Sequence, residues 1–219
     1  MVKSIGNKNP KMHCHEEFLI DHDTKGFISD EIMMKWFLDQ YSTSKHLLVL
    51  YSIVKGLKAK RVLEIGYGRS TSVLARAVNE NEGRMICCDW DDFSNCLSKK
   101  ENKVVKYIFG NSSEIWKRDE GFDFSFLDHF GKEGLKIPFL FSEIENCLSK
   151  MKTNGIIAMH DSFVESFRMN KTLDLLQDRK DVEYVTLPYN YGLTILRYKG
   201  ESKYGKIEDN LFYPKKKNR

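Results

Sequence analysis

Between Arg61 and Val78 the chain reads RVLEIGYGRSTSVLARAV, and two glycines, Gly66 and Gly68, stand where an apolar run of strand character passes into a helical one. Glycine at such a changeover lets the backbone bend, through positive φ if needed, and lets a ligand come close to it. In a doubly wound sheet this is where the ligand crevice opens, at the carboxyl ends of the strands. Asp89 closes the next apolar run, MICCD, about twenty residues beyond the glycines, the distance at which an acid meets ribose hydroxyls in such sheets. A carboxylate suits two neighbouring hydroxyls because each oxygen can accept one hydrogen bond. Glycine turn and acid together point to a nucleoside site. GYGRST has Thr71 in place of the third glycine of the dinucleotide fingerprint, and it lacks the Lys-Ser/Thr of a phosphate loop.

A second group carries acid–base chemistry. FLDH and MHDS end two further apolar runs with Asp128, His129, His160 and Asp161. Parallel strands open their ends onto one crevice, so these four converge. Imidazole titrates near working pH, which makes His160 and His129 the candidate general bases. Two carboxylates facing each other require a proton or a cation between them.

These residues need a frame. Strand-like RVLEIG, GRMICCDW, KVVKYIFG, FDFSFLDH and NGIIAMHDS alternate with helix-like SVLARAVNE, SSEIWKR, IPFLFSEIENCLSKM and ESFRMNKTLDLLQDRK, and FSNCLSKK reads as a short helix or turn. Doubly apolar strands in such alternation predict a parallel sheet covered on both faces. VEYVTLP and LTILRYK are separated only by YNYG, too little for a crossover helix, so they pair antiparallel. The expected fold is α/β and Rossmann-like: a mostly parallel seven-stranded sheet with a C-terminal antiparallel hairpin. Upstream, helical spacing follows Ser29 (Ile32, Met33, Trp36, Phe37), and a second helix is expected from about Ser44 to Leu57, with Leu47, Leu48, Leu50, Tyr51 and Val54 on its apolar side. These form an N-terminal helical cap. The chain divides into an arm and cap at 1–58, belonging to the same domain, a cofactor-binding domain at 59–200, and a basic tail at 201–219.

The ordered series LEIGYGRST, MICCDW, YIFGNSSE, FLDH and NGIIAMHDS resembles the motifs of class I S-adenosylmethionine-dependent methyltransferases. The closing PYNYGLTILRYK is similar to the terminal hairpin of their small-molecule O-methyltransferases, of the catechol and methyltransferase-24 types. That resemblance implies methyl transfer from S-adenosylmethionine to a hydroxyl of a small molecule. By it, Glu64, Gly66, Gly68 and Ser70 or Thr71 surround the methionine end of the cofactor, Asp89 and Trp90 hold the ribose, and Asn111 and Ser112 flank adenine. Asp128 faces the methionine amino group or the reacting centre. A cofactor without phosphate also accounts for the missing third glycine. Catechol-type enzymes hold magnesium with two aspartates and an asparagine. Asp128 and Asp161 match the first two positions and Ser162 occupies the third, while Lys132 stands one place from the catalytic lysine of that group.

Other classes find less support. A formal net charge of +4 on 219 residues, partly from the final YPKKKNR, does not describe a nucleic-acid groove. The N-terminus lacks the apolar core of a secretion signal, and five scattered cysteines read as reduced thiols of a cytoplasmic protein. DHDTKGFISDEI, from Asp21, imitates a calcium loop but carries lysine at its fifth position and Ile32 at its last. HCH at residues 13–15 lacks a paired zinc-ligand group. The expected partner is a small-molecule acceptor, with neither nucleic acid nor membrane, and homo-oligomerisation is left open. The competing readings are an NAD-dependent oxidoreductase, an RNA or protein methyltransferase, and a non-catalytic cofactor-binding subunit.

Overall fold

The computed structural model describes residues 45–117, 121–128, 137–164 and 169–200. The helix expected after Ser29, the calcium-like loop, the HCH triplet, His129, Lys132 and the basic tail lie outside these residues. Five parallel strands form first: β1 (Arg61–Ile65), β2 (Arg84–Asp89), β3 (Val105–Phe109), β4 (Phe122–Leu127) and β5 (Met151–Met159). β6 (Val182–Leu187) and β7 (Leu193–Tyr198) follow. The sheet order is β3-β2-β1-β4-β5-β7-β6. β7 runs antiparallel to both β5 and β6, so the hairpin folds back and its second strand, not its first, pairs with β5, leaving β6 at the edge.

Residue alternation makes both faces apolar. Val62, Met85, Cys87 and Phe124 pack on one side with Leu50 and Val54 of α1 (Leu47–Gly56) and with Leu74 and Val78 of α2 (Arg69–Glu80). Leu63, Ile86, Cys88 and Ile157 pack on the other, against Leu140, Ile144 and Cys147 of α4 (Ile137–Lys150) and Leu173 of α5 (Met169–Asp174). A four-residue helix, α3 (Ser113–Trp116), precedes β4. The period of two that sends Cys87 and Cys88 to opposite faces is that of any pleated strand.

Three expectations change. Leu48 is 51% exposed, because a helix spaced at 3.6 residues per turn cannot bury both it and Leu47 against one surface. The helix read over ESFRMNKTLDLLQDRK is helical in its described part only over Met169–Asp174. It then tightens into turns in which Leu175 N–H, Leu176 N–H and Gln177 N–H bond to the carbonyls three residues earlier. Cys87, Cys88 and Cys147 are buried free thiols, but Cys96 is disulfide-bonded, a pairing that scattered cysteine spacing does not announce.

At the amino-terminal ends of the strands, opposite the glycine turn, lies a cleft of about 650 Å³ lined by Lys60, Arg61, Arg84, Lys103 and Lys106 with Glu82. Asp123 stands beside it and accepts hydrogen bonds from the backbone of Lys60 and Arg61 and from Lys152 Nζ.

The packing of α1 yields a direct test. Leu50 is fully buried and Leu48 half-exposed, so Leu50→Ala is expected to cost about 2–5 kcal/mol. Leu48→Ala is expected to stay within about 0.5 kcal/mol. Urea denaturation of the two variants reads the difference.

Candidate functional site

β1 ends in a turn that the neighbouring strands hold from both sides. Gly66 N–H donates to Cys88 O and Asp128 N–H donates to Ile65 O. Gly66 has φ +100, and a Cβ there would lie 2.4 Å from Asp128 O. Only glycine satisfies both conditions. Gly68 is different. Its φ of −173 is ordinary extended backbone, which corrects any expectation of positive φ there. Among the described residues, a Cβ on it would meet nothing nearer than Ser70 Oγ, at 3.9 Å, so the backbone at 68 is open to close approach.

Beneath the turn sits a carboxylate removed from solvent. Glu64 is fully buried. Ser70 Oγ donates to its Oε1 and Thr71 Oγ1 to its Oε2, each at 2.6 Å. Thr71 Oγ1 in turn accepts from Gly68 N–H at 3.0 Å. Glu64, Ser70 and Thr71 therefore shape the turn from below. Burial pushes the Glu64 carboxyl up to about 8, against the pull of the Ser70, Thr71 and Cys87 donors.

Asp89 stitches two loops together. Its Oδ2 accepts from Tyr67 N–H at 2.7 Å and its Oδ1 from Asp91 N–H at 2.9 Å. Each oxygen keeps capacity for one more bond. The Tyr67 ring stacks on Phe93 with centroids 4.8 Å apart, and Tyr107 OH donates to Asp91 O, so the clamp has a further contact on each side. Trp90, next in sequence, is 42% exposed. Asn111, after β3, caps a local turn by accepting from Ser113 N–H. Ser112 is buried and donates to Glu143 Oε2 at 2.6 Å, so its hydroxyl faces α4 rather than the crevice.

Asp128, His160 and Asp161 come together at the ends of β4 and β5, as their spacing implied. His160 Nδ1 lies 2.8 Å from Asp128 Oδ1 and 3.1 Å from Asp161 Oδ1. Burial pulls the imidazole down, but its hydrogen bonds to Asp128 and Asp161 and their charges outweigh that and raise it to about 9. The ring is thus the cation between the two acids. Asp161 itself adopts φ +59, unusual for a residue other than glycine. Ser162 is buried and spent elsewhere: its hydroxyl bonds to Thr194 Oγ1 at 2.7 Å and to Met159 O at 3.3 Å.

One ligand atom from each of Asp128, His160 and Asp161 lies within 4.8 Å of the others. Magnesium prefers about six oxygens in octahedral array. Here a ring nitrogen occupies the space between the carboxylates, and the hydroxyl at the third ligand position is turned away. The residues as arranged do not fit magnesium.

Sequence reasoning missed His46. It is fully buried at the start of α1, its Nε2 donates to Tyr189 O at 3.1 Å, and its ring meets His160 edge-on with centroids 4.8 Å apart. Burial lowers it to about 4. The only signal was a histidine opening an apolar helix, and nothing in sequence pairs position 46 with position 160. Tyr191, 6.3 Å from His160 between ring centroids, adds a further wall from the β6–β7 loop.

Comparison with known proteins accords with this geometry. Residues 63–162 match a family model described as a methyltransferase domain. No curated protein matches the chain. Among solved structures, the chain is similar to the O-methyltransferase TomG from Streptomyces achromogenes, involved in tomaymycin synthesis and solved with SAM. The two are 17% identical, with 89% of this chain and 100% of that one covered, at a TM-score of 0.62. The SAH-bound methyltransferase PaMTH1 of Podospora anserina shows 17% identity, coverage of 91% and 100%, and a TM-score of 0.62. An O-methyltransferase from Bacillus cereus in complex with SAH shows 16% identity, coverage of 87% and 100%, and a TM-score of 0.60. At such identities the likeness establishes the fold.

Glu64 makes the stability of the turn depend on pH. Its folded-state pKa of about 8 exceeds the ordinary 4.5, so folding favours the protonated form. That contribution is complete below pH 4.5 and is lost as pH rises toward 8. Glu64→Gln is expected to flatten stability across this interval relative to the unchanged protein, read as the difference between two series of urea midpoints. Parallel pH profiles would refute the assignment.

Proposed function

We propose that this chain transfers the methyl group of S-adenosylmethionine to a hydroxyl of a small molecule. The observation that carries this is the pairing of a clamped Asp89, with bonding capacity left on both oxygens, and open space over Gly68. A ribose needs the first and the sulfonium-bearing chain needs the second. The match of residues 63–162 to a methyltransferase domain supports it, as do the O-methyltransferases among the structural neighbours.

In this reading Asp89 accepts from the ribose hydroxyls, with Trp90 beside it, and Asn111 lies at the adenine end. Glu64, Ser70 and Thr71 hold the turn in the shape that receives the methionine end, while Asp128 faces its amino group. The bound cofactor supplies a methyl carbon already activated by positive sulfur. What remains for the protein is alignment and removal of the acceptor's proton. His160 balances the charge of Asp128 and Asp161, a role that a metal would otherwise fill. The absent third glycine and the lack of a phosphate loop disfavour a nicotinamide dinucleotide. No described helix is long and apolar enough to cross a membrane.

Calorimetry tests the cofactor. S-adenosylhomocysteine is expected to bind and NAD to give no measurable heat; the reverse order would overturn the reading. Asp89→Ala removes an acceptor and leaves its partners unpaired, and is expected to weaken S-adenosylhomocysteine by about 1–3 kcal/mol. Because the strand-end donor set does not fit magnesium, methylation of hydroxyl acceptors is expected to persist in a chelator such as EDTA. Abolished turnover, restored by added magnesium, would refute this.

A further inference from the structure

Among the described residues, two buried ring nitrogens, His46 Nδ1 and His160 Nε2, have no hydrogen-bond partner, and they belong to rings in edge-on contact. Buried polar atoms are rarely left this way, and a pair of them in one wall marks a place for a polar guest.

The tautomer of His46 follows from its bond. A carbonyl oxygen can only accept, so the contact with Tyr189 O puts the proton of the neutral ring on Nε2. Nδ1 then carries a lone pair with nothing to receive. On the neighbouring ring, Nδ1 is committed to Asp128 and Asp161, which leaves Nε2 as the atom available to a guest. A hydroxyl group both donates and accepts, and it suits such a pair. Asp128, whose carboxylate holds His160, also packs its backbone against the Gly66 turn, so the two rings stand beside the carboxyl end of β4, on the same side of the sheet as that turn.

Resting on the methyl-transfer reading, we propose that His46 is the catalytic base: its Nδ1 accepts a hydrogen bond from the acceptor hydroxyl and takes the proton during transfer. The proton moves to Nδ1 as the acceptor oxygen forms its bond to the methyl carbon and the carbon–sulfur bond breaks. Positive charge passes from sulfur to the imidazole, sulfur keeps the bonding electron pair, and the sum is unchanged. The Tyr189 carbonyl steadies the resulting cation through Nε2–H, and the Asp161 charge opposes the burial and the neighbouring His160 charge that hold the resting ring low. The cap thereby takes part in the chemistry. α1 and the β6–β7 loop deliver the base, while the strand ends hold the cofactor.

The test uses the full chain labelled with [15N]histidine and saturated with S-adenosylhomocysteine. At neutral pH the His46 signals are expected to show a protonated Nε2 and a bare Nδ1; a proton on Nδ1 would overturn the proposal without reference to any acceptor. His46→Gln keeps an N–H donor where Nε2 stands but has no lone pair at Nδ1. It is expected to bind S-adenosylhomocysteine as the unchanged protein does. Its kcat on a panel of phenols, catechols and aliphatic alcohols is expected to fall about hundredfold or more, with little change in KM. An unaltered kcat would overturn the proposal. If the unchanged protein binds S-adenosylhomocysteine but methylates nothing in the panel, the hydroxyl-acceptor reading fails, and the tautomer measurement still decides the state of His46. Should His46→Gln fold poorly, that same measurement on the unchanged protein stands in its place.

Discussion

Among the described glycines the tightest approach is that of Gly66 to the backbone of Asp128, where not even a methyl group fits. It fixes the ends of β1 and β4 against each other, with the bend held also by Cys88 O of β2. Everything chemical hangs from that junction. Glu64 lies just before the bend and Asp89 ends the strand on one side. Asp128 ends the strand on the other and carries His160. Asp89 and Asp128, from the strands on either side of β1, thus reach one crevice without side-chain reach having to make up the distance, while Glu64 braces the turn from below.

Their surroundings give these acids different work. Glu64 is sealed off and bonded to two hydroxyls, so it behaves as a structural strut whose charge is costly. Asp89 is held by backbone N–H groups, which leave its outer lone pairs presented. Asp128 shares an imidazole with Asp161. A carboxylate at a strand end is a generic feature of such sheets, and here the donor around each one decides its role.

Most of the frame was legible in the sequence because it rests on local periodicity. The five apolar runs, the glycine turn and the four-residue YNYG link dictate strand type and direction without tertiary knowledge. The convergence of Asp128, His160 and Asp161 was also legible, since parallel strands must bring their ends together. What escaped depends on contacts remote in sequence. Leu48 looked as apolar as Leu50, and only the angle of α1 on the sheet separates them. Ser112 read as a crevice residue until Glu143, 31 positions away, claimed its hydroxyl. His46 bonds to Tyr189 across 143 positions, and no pattern in a single chain encodes such a pairing.

That last bond has a structural consequence for the molecule as an evolving object. The helix at the front of the described chain and the hairpin loop at its back are clasped together over the strand ends, apart from the cofactor turn and on separate segments of chain. Residues such as Tyr189 and Tyr191 can therefore change, and the loop between β6 and β7 can lengthen, without disturbing Glu64, Gly66 or Asp89. The glycine turn and the clasp are thus separable parts of one fold. New molecular tastes are open to it by rewriting a clasp rather than a core.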